Sequence, residues 1–178
     1  LAVLFSWNAT VSEFLMPLVV SLNMIPKVAM GPIFIVWFDY GLGPNIIIAF
    51  MISFLPILIT TTRGLMEVEP ELLDLVKSLK GSRWQIFTKI QLPGSLPYIF
   101  SGMKVAVVLA VAGAIVGEFI GSEEGLGYLM QQVQVDLDTP AMFMAVLMIT
   151  FVGVSLYGIV LLLERIFVKS DSRLEAAA

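Results

Sequence analysis

Residues 140–163, PAMFMAVLMITFVGVSLYGIVLLL, run for 24 positions without a charged side chain. As an α-helix such a stretch reaches about 36 Å, more than the roughly 30 Å hydrocarbon core of a bilayer. It reads as a membrane-spanning helix. A second charge-free run, Pro44–Thr62, has 19 residues, and Ser95–Gly117 has 23 with a single charge, Lys104. Phe14–Phe38 is apolar too, but Asn23, Pro26, Lys27, Gly31 and Pro32 interrupt it. Breakers clustered in that way predict a broken or kinked span, bent around a substrate path.

The composition agrees. The chain is 58% hydrophobic and 13% charged, whereas soluble domains average about 45–50% apolar and about 25% charged residues. The expected fold is all-α, a polytopic transmembrane helical bundle. With no Cys and no His, disulfides, thiolate chemistry, imidazole bases and the commonest transition-metal ligands are excluded. No catalytic residue, metal site or cofactor is expected, and the chain does not read as an enzyme. A net charge of −4 without a basic stripe argues against a nucleic-acid partner.

The chain opens inside an apolar run, LAVLF, without an initiator Met, so one or two N-terminal spans are expected to be missing. Residues 1–168 read as a transmembrane domain, and residues 169–178 as a tail ending in a stretch, LEAAA, that resembles a cloning scar.

Charge placement orients the spans. Arg63, Lys77, Lys80, Arg83 and Lys89 crowd one connection, and Arg165, Lys169 and Arg173 follow the last span. The connection between them holds Glu118, Glu123, Glu124, Asp136 and Asp138 with no basic residue. The positive-inside rule then places the basic connection and the C-terminus in the cytoplasm and the acidic connection outside. By the same parity Ser6–Glu13 should be cytoplasmic, although it carries no base.

The basic connection, residues 67–93 (EVEPELLDLVKSLKGSRWQIFTKIQLP), has its own organisation. Pro70 suits a first helical turn. Leu72, Leu75, Val76 and Leu79 make an apolar stripe, with acids before it and Lys77 and Lys80 after it, as the helix dipole prefers. Gly81 provides a stop. Ser82-Arg83-Trp84-Gln85 is a capping box for a second short helix, which Pro93 is expected to end by pushing Leu92 out of the α region. Two short helices across the cytoplasmic mouth are the expected result.

This connection resembles the EAA loop of bacterial ABC importer permeases, E-A-A, three residues, G, nine residues, I-x-L-P. Asp74-Leu75-Val76 opens the frame, Lys80 falls at the consensus Gly with Gly81 one place late, and Ile90, Leu92 and Pro93 are in register. Ile25-Pro26-Lys27-Val28-Ala29, Trp37-Phe38, Leu96-Pro97-Tyr98-Ile99-Phe100, Val116-Gly117-Glu118-Phe119 and Gly125-Leu126-Gly127-Tyr128 are similar to the nitrate/sulfonate/taurine branch. The resemblance implies a coupling loop, residues 64–93, gripped by a cytoplasmic ABC ATPase dimer, with Asp74, Leu75, Lys77, Ser78, Leu79, Gly81, Arg83 and Trp84 as contacts. It also implies an extracytoplasmic substrate-binding protein, a second permease subunit, alternating access, and a multi-pass place in the bacterial inner membrane. Nitrate, sulfonates, taurine or a vitamin precursor are the solutes it implies.

Lys27 and Lys104 are the cations inside apolar spans, where a charge marks a functional candidate. Lys104 is expected to snorkel. Lys27 and Glu118 are the candidates for the substrate pathway. Two rival readings are an ATP-independent channel or secondary transporter, and a membrane scaffold that docks a cytoplasmic partner.

Overall fold

The computed structural model describes residues 1–68, 72, 74, 76 and 78–168, with the Ala9 side chain excepted. Among these residues every regular element is helical. Two short N-terminal helices, α1 (Ala2–Trp7) and α2 (Ala9–Asn23), meet at Asn8, whose side chain caps α2 by accepting from the Val11 amide at 3.3 Å. A 3₁₀ turn (Lys27–Met30) leads into α3 (Gly31–Phe38). The apolar segments on either side of Pro26 diverge by 69°. The kink expected between Phe14 and Phe38 is therefore present, and it sits where Pro26 removes a backbone donor.

Helix α4 (Leu42–Met66) is about 37 Å long, enough to cross a bilayer. Within the basic connection a helix, α5 (Arg83–Ile86), follows the turn at Lys80 and Gly81, widens into a π segment (Phe87–Gln91), and runs on as α6 (Leu92–Gly121). The expectation that Pro93 would end the second short helix is overturned. Leu92 has φ −65° and ψ −49°, ordinary helical values, and the stretch Arg83–Gly121 forms one 39-residue apolar rod. The π segment is the physical reason. Proline cannot donate to the ladder and its ring crowds the preceding turn, and a wide turn just upstream of Pro93 absorbs both demands without breaking the helix.

The acidic connection folds as α7 (Leu126–Val135), and the last span is α8 (Thr139–Phe167), opened by Asp138, which accepts from the Ala141 amide at 3.1 Å. Among the described residues, and with the bent pair counted as one, four apolar segments are long enough to cross a membrane.

The core lies between α4 and α6, which run antiparallel in contact along their length. Small residues on α6 allow this. A side-chain carbon added at Gly113 would lie 2.9 Å from the Ala49 Cα, and one at Gly117 would lie 2.9 Å from the Asn45 Cα. Helices in lipid lack a hydrophobic drive toward each other, so close backbone approach supplies packing energy instead. Helix α8 is looser. It leaves Phe143, Leu147, Phe151 and Phe167 more than 60% exposed, as a lipid-facing helix would. It is held to α6 at one level by an ion pair from the Lys104 Nζ to both Glu164 carboxylate oxygens, at 2.7 and 2.8 Å. Phe100 and Phe167 stack with ring centroids 6.4 Å apart. The expectation that Lys104 snorkels is thus corrected. A carboxylate 60 positions away satisfies the ammonium within the bundle.

Candidate functional site

Arg63, Lys80, Arg83, Lys89 and Arg165 fall at one end of the bundle, and Asp39, Glu118, Glu123, Glu124, Asp136 and Asp138 at the other. Each end carries one set of expected functional residues.

At the basic end Leu72, Asp74, Val76 and Ser78 are helical, and the Ser78 hydroxyl donates to the Asp74 carbonyl at 2.9 Å. Leu75 and Lys77 lie outside the described residues. The helix stops by a hydrogen bond from the Gly81 amide to the Val76 carbonyl, 2.9 Å. The left-handed residue is Lys80, at φ +56°, and not Gly81. Lys80 thus stands in a conformation that favours glycine, at the position where the EAA consensus has glycine. Gly81 is required for a different reason: a Cβ there would meet the Val76 side chain at 2.3 Å and its carbonyl at 3.0 Å.

The expected capping box is formed. Gln85 N–H donates to the Ser82 hydroxyl at 3.3 Å, and the Ser82 amide donates to the Gln85 side chain at 2.8 Å. This sets the start of α5, with Arg83 and Trp84 exposed on its first turn. Leu79 is 74% exposed and Trp84 65%. Both stand in the open beside Lys80 and Arg83. Trp84 rests on Phe87, and Phe87 meets Trp7 edge-on, each with centroids 5.7 Å apart. Trp7 was not singled out from the sequence, because no local pattern ties the first helix to a turn 80 residues later. Gln91 pins the π segment to the end of α4 by donating to the Leu65 carbonyl at 3.3 Å.

At the acidic end Glu118 accepts from the Gly127 amide at 2.6 Å and so caps the start of α7. Gly125, at φ +111°, and Gly127 leave room for it. Side-chain carbons at these positions would lie 2.4 Å and 2.9 Å from Glu118 atoms. Two fragments that were separate in the sequence, Gly117-Glu118-Phe119 and Gly125-Leu126-Gly127, are one clasp in three dimensions. Gln131 adds a bond to the Phe119 carbonyl at 2.7 Å.

Glu118 also borders two cavities. One, of about 390 Å³, opens at the acidic end and is lined by Tyr40, Asn45, Ser122, Glu123 and Glu124 among others. The second, of about 370 Å³, is an apolar groove between α4, α6 and α8, with Ala49, Ala110, Ala114, Ile149 and Leu156 in its wall. Lys27 is elsewhere. Its ammonium donates to the Asn23 carbonyl at the end of α2, and it borders a smaller apolar cavity of about 270 Å³. The two pathway candidates are therefore not brought together.

The sequence profile of the family described as binding-protein-dependent transport system inner membrane component matches residues 1–169. The formylaminopyrimidine transport permease protein ThiX of Halalkalibacterium halodurans is 32% identical over 93% of the chain and 66% of its own length. The riboflavin transport system permease protein RibX of Chloroflexus aurantiacus is 35% identical over 90% of the chain and 60% of its own length. The putative aliphatic sulfonates transport permease protein SsuC of Bacillus subtilis is 28% identical over 95% and 61%. The chain thus spans about two thirds or less of the length of these relatives. With the profile covering nearly the whole sequence and the helical bundle agreeing with it, this chain belongs to the binding-protein-dependent transport system inner-membrane components.

Proposed function

We propose that this chain forms the membrane pathway of an ATP-binding-cassette importer and takes its driving force from a separate cytoplasmic ATPase dimer. Leu79, Arg83 and Trp84, with Asp74, Ser78 and Gly81 shaping the turn, are the docking surface; Leu75 and Lys77, outside the described residues, are further contacts that the resemblance implies. The basic end, with the C-terminus, faces the cytoplasm of a bacterial inner membrane. A substrate-binding protein meets the acidic end, and a second permease subunit completes the path. Hydrolysis belongs to the partner; this chain has no Gly-rich phosphate loop of the G-x-x-x-x-G-K-[ST] kind.

The observation that carries this reading is the unbroken rod Arg83–Gly121. Trp84 and Glu118 sit on it about 50 Å apart along the axis, one at the docking surface and one at the cavities. A push on the first turn is therefore delivered to the opposite end of the bundle. Closure of the ATPase biases one of two packings only through contacts that differ between them. Glu118 lines the solute path. Lys27 acts indirectly, holding the bend at Asn23 and shaping the path without offering its charge to the solute. The names of the relatives span sulfonates, riboflavin and formylaminopyrimidine, and a small organic solute in that range is the cargo.

The test is uptake by the assembled transporter carrying Leu79→Arg or Gly81→Trp. Both are expected to abolish uptake with membrane insertion intact. Normal uptake by both variants overturns the docking role.

A further inference from the structure

Resting on the importer reading, we infer that Glu67 and Tyr98 latch α4 to the rod Arg83–Gly121, so that the stroke of the ATPase moves the two helices as one lever.

Three ties join the last turn of α4 to the first turns of the rod. Gly64 gives Tyr98 its seat. A side-chain carbon at Gly64 would stand 2.5 Å from the Tyr98 Cβ and 2.8 Å from its ring, so only glycine lets the tyrosine lie this close. The Tyr98 hydroxyl in turn donates to the Glu67 carboxylate. Arg63 lies 3.5 Å from the same carboxylate, but the two side chains are 75% and 49% exposed, and so open an ion pair holds little. The directional bond from Tyr98 fixes the carboxylate instead. The third tie is the Gln91 side chain, which donates to the Leu65 carbonyl at 3.3 Å.

Farther along, α4 and α6 meet through glycines. Carbons added at Gly102, Gly113 and Gly117 would lie 3.1, 2.9 and 2.9 Å from the Cα atoms of Ile57, Ala49 and Asn45. Smooth backbone contact of this kind tolerates the small slides by which packed helices shear, whereas a hydrogen bond between side chains fixes the register. The docking turn leads straight into the rod at Arg83. Without the latch, a pull on that turn would draw the rod past α4. The consequence reaches the cavities, because Leu42 and Ala49 of α4 share their walls with Glu118 and Ala114 of α6. A latched pair keeps these walls together and opens the groove against α8, which supplies Ile149 and Leu156. Glu67 and Tyr98 are thus positioning residues for the transport stroke.

The chain contains no cysteine, so spin labels can be set at chosen sites. Ile46→Cys on α4, Phe119→Cys on α6 and Phe143→Cys on α8 replace exposed side chains toward the acidic end of the bundle. In the assembled transporter in nanodiscs, pulsed dipolar spectroscopy measures the 46–143 and 119–143 distances, nucleotide-free and trapped with ATP and vanadate. Both distances are expected to change together in the parent. Tyr98→Phe, which keeps the ring over Gly64, and Glu67→Ala should leave the 119–143 change in place. Each should shrink the 46–143 change about threefold or more, as loss of one half-exposed hydrogen bond to a charged group allows. Glu67→Gln keeps an acceptor for the hydroxyl and should retain most of the parent response. The double variant should lose no more than the larger single loss, since both substitutions remove one bond. The proposal is overturned by a 46–143 change that survives both single variants, or by losses in the two distances that run in step. No change in either distance of the parent, with nucleotide trapped, overturns it too. Failure of the importer reading looks different: vanadate would then trap no nucleotide in the parent or in any variant.

Discussion

The Lys104–Glu164 pair offers a quantitative test of how the last helix is attached. The Nζ lies 2.7–2.8 Å from both carboxylate oxygens, and the two side chains are 26% and 23% exposed. Lys104 sits about 18 Å along α6 from Leu92, far from either end of that helix. A lone charge at the centre of a bilayer costs about 2.5–3.5 kcal/mol on insertion scales. Lys104→Met strands the carboxylate and Glu164→Gln strands the ammonium. Allowing for partial exposure, each should destabilise by about 2–3 kcal/mol. The double variant removes both charges and both desolvation costs, so its loss should stay within about 1 kcal/mol. The coupling is then at least about 3 kcal/mol, roughly 150-fold in an equilibrium constant. Reversible unfolding in mixed micelles measures all four species. Additive losses, or single losses below about 0.5 kcal/mol, would refute the idea that the pair clamps α8 to α6.

Three further outcomes are expected. Gly113→Val drives side-chain carbon against the Ala49 backbone and should cost about 1–3 kcal/mol by overpacking, seen as a lower melting temperature in detergent. Gly158→Ala, with nothing within 4 Å of the added carbon, should melt no lower than the parent. Lys80→Gly relieves a left-handed L-residue, worth about 1–2 kcal/mol, against about 0.5–1 kcal/mol of added chain entropy. Slower amide exchange at Gly81 is the expected sign, and faster exchange contradicts the assignment of strain to Lys80.

The spans were legible because charge-free length is a local property. Pro44–Thr62, Ser95–Gly117 and Pro140–Leu163 each lie within a helix of the structure. The breakers at Asn23–Pro32 were equally readable, since Pro26 disrupts a ladder wherever it sits. The capping box at Ser82 was legible for the same reason, with all its partners inside four residues. Pro93 misled, because the rule against α conformation before proline describes a regular turn, and a π turn upstream escapes it. Lys104 misled because its partner is on another helix, and no spacing rule reaches that far. The packing stripe on α6 was available in the four-residue spacing of Gly113, Gly117 and Gly121, a pattern known to bring helices close in lipid. Glu118 and Gly127 stand in adjacent motifs, but only the fold of α7 back onto α6 reveals that one caps the other.

The most direct measurement is site-specific photo-cross-linking from Leu79 and Trp84 in the native membrane complex, followed by identification of what each captures. Both side chains are open to solvent, so a photoreactive group there reports whatever lies against the turn. Capture of a nucleotide-hydrolysing subunit from both positions is expected. Capture of lipid alone would contradict the claim that this turn receives the force that moves the bundle.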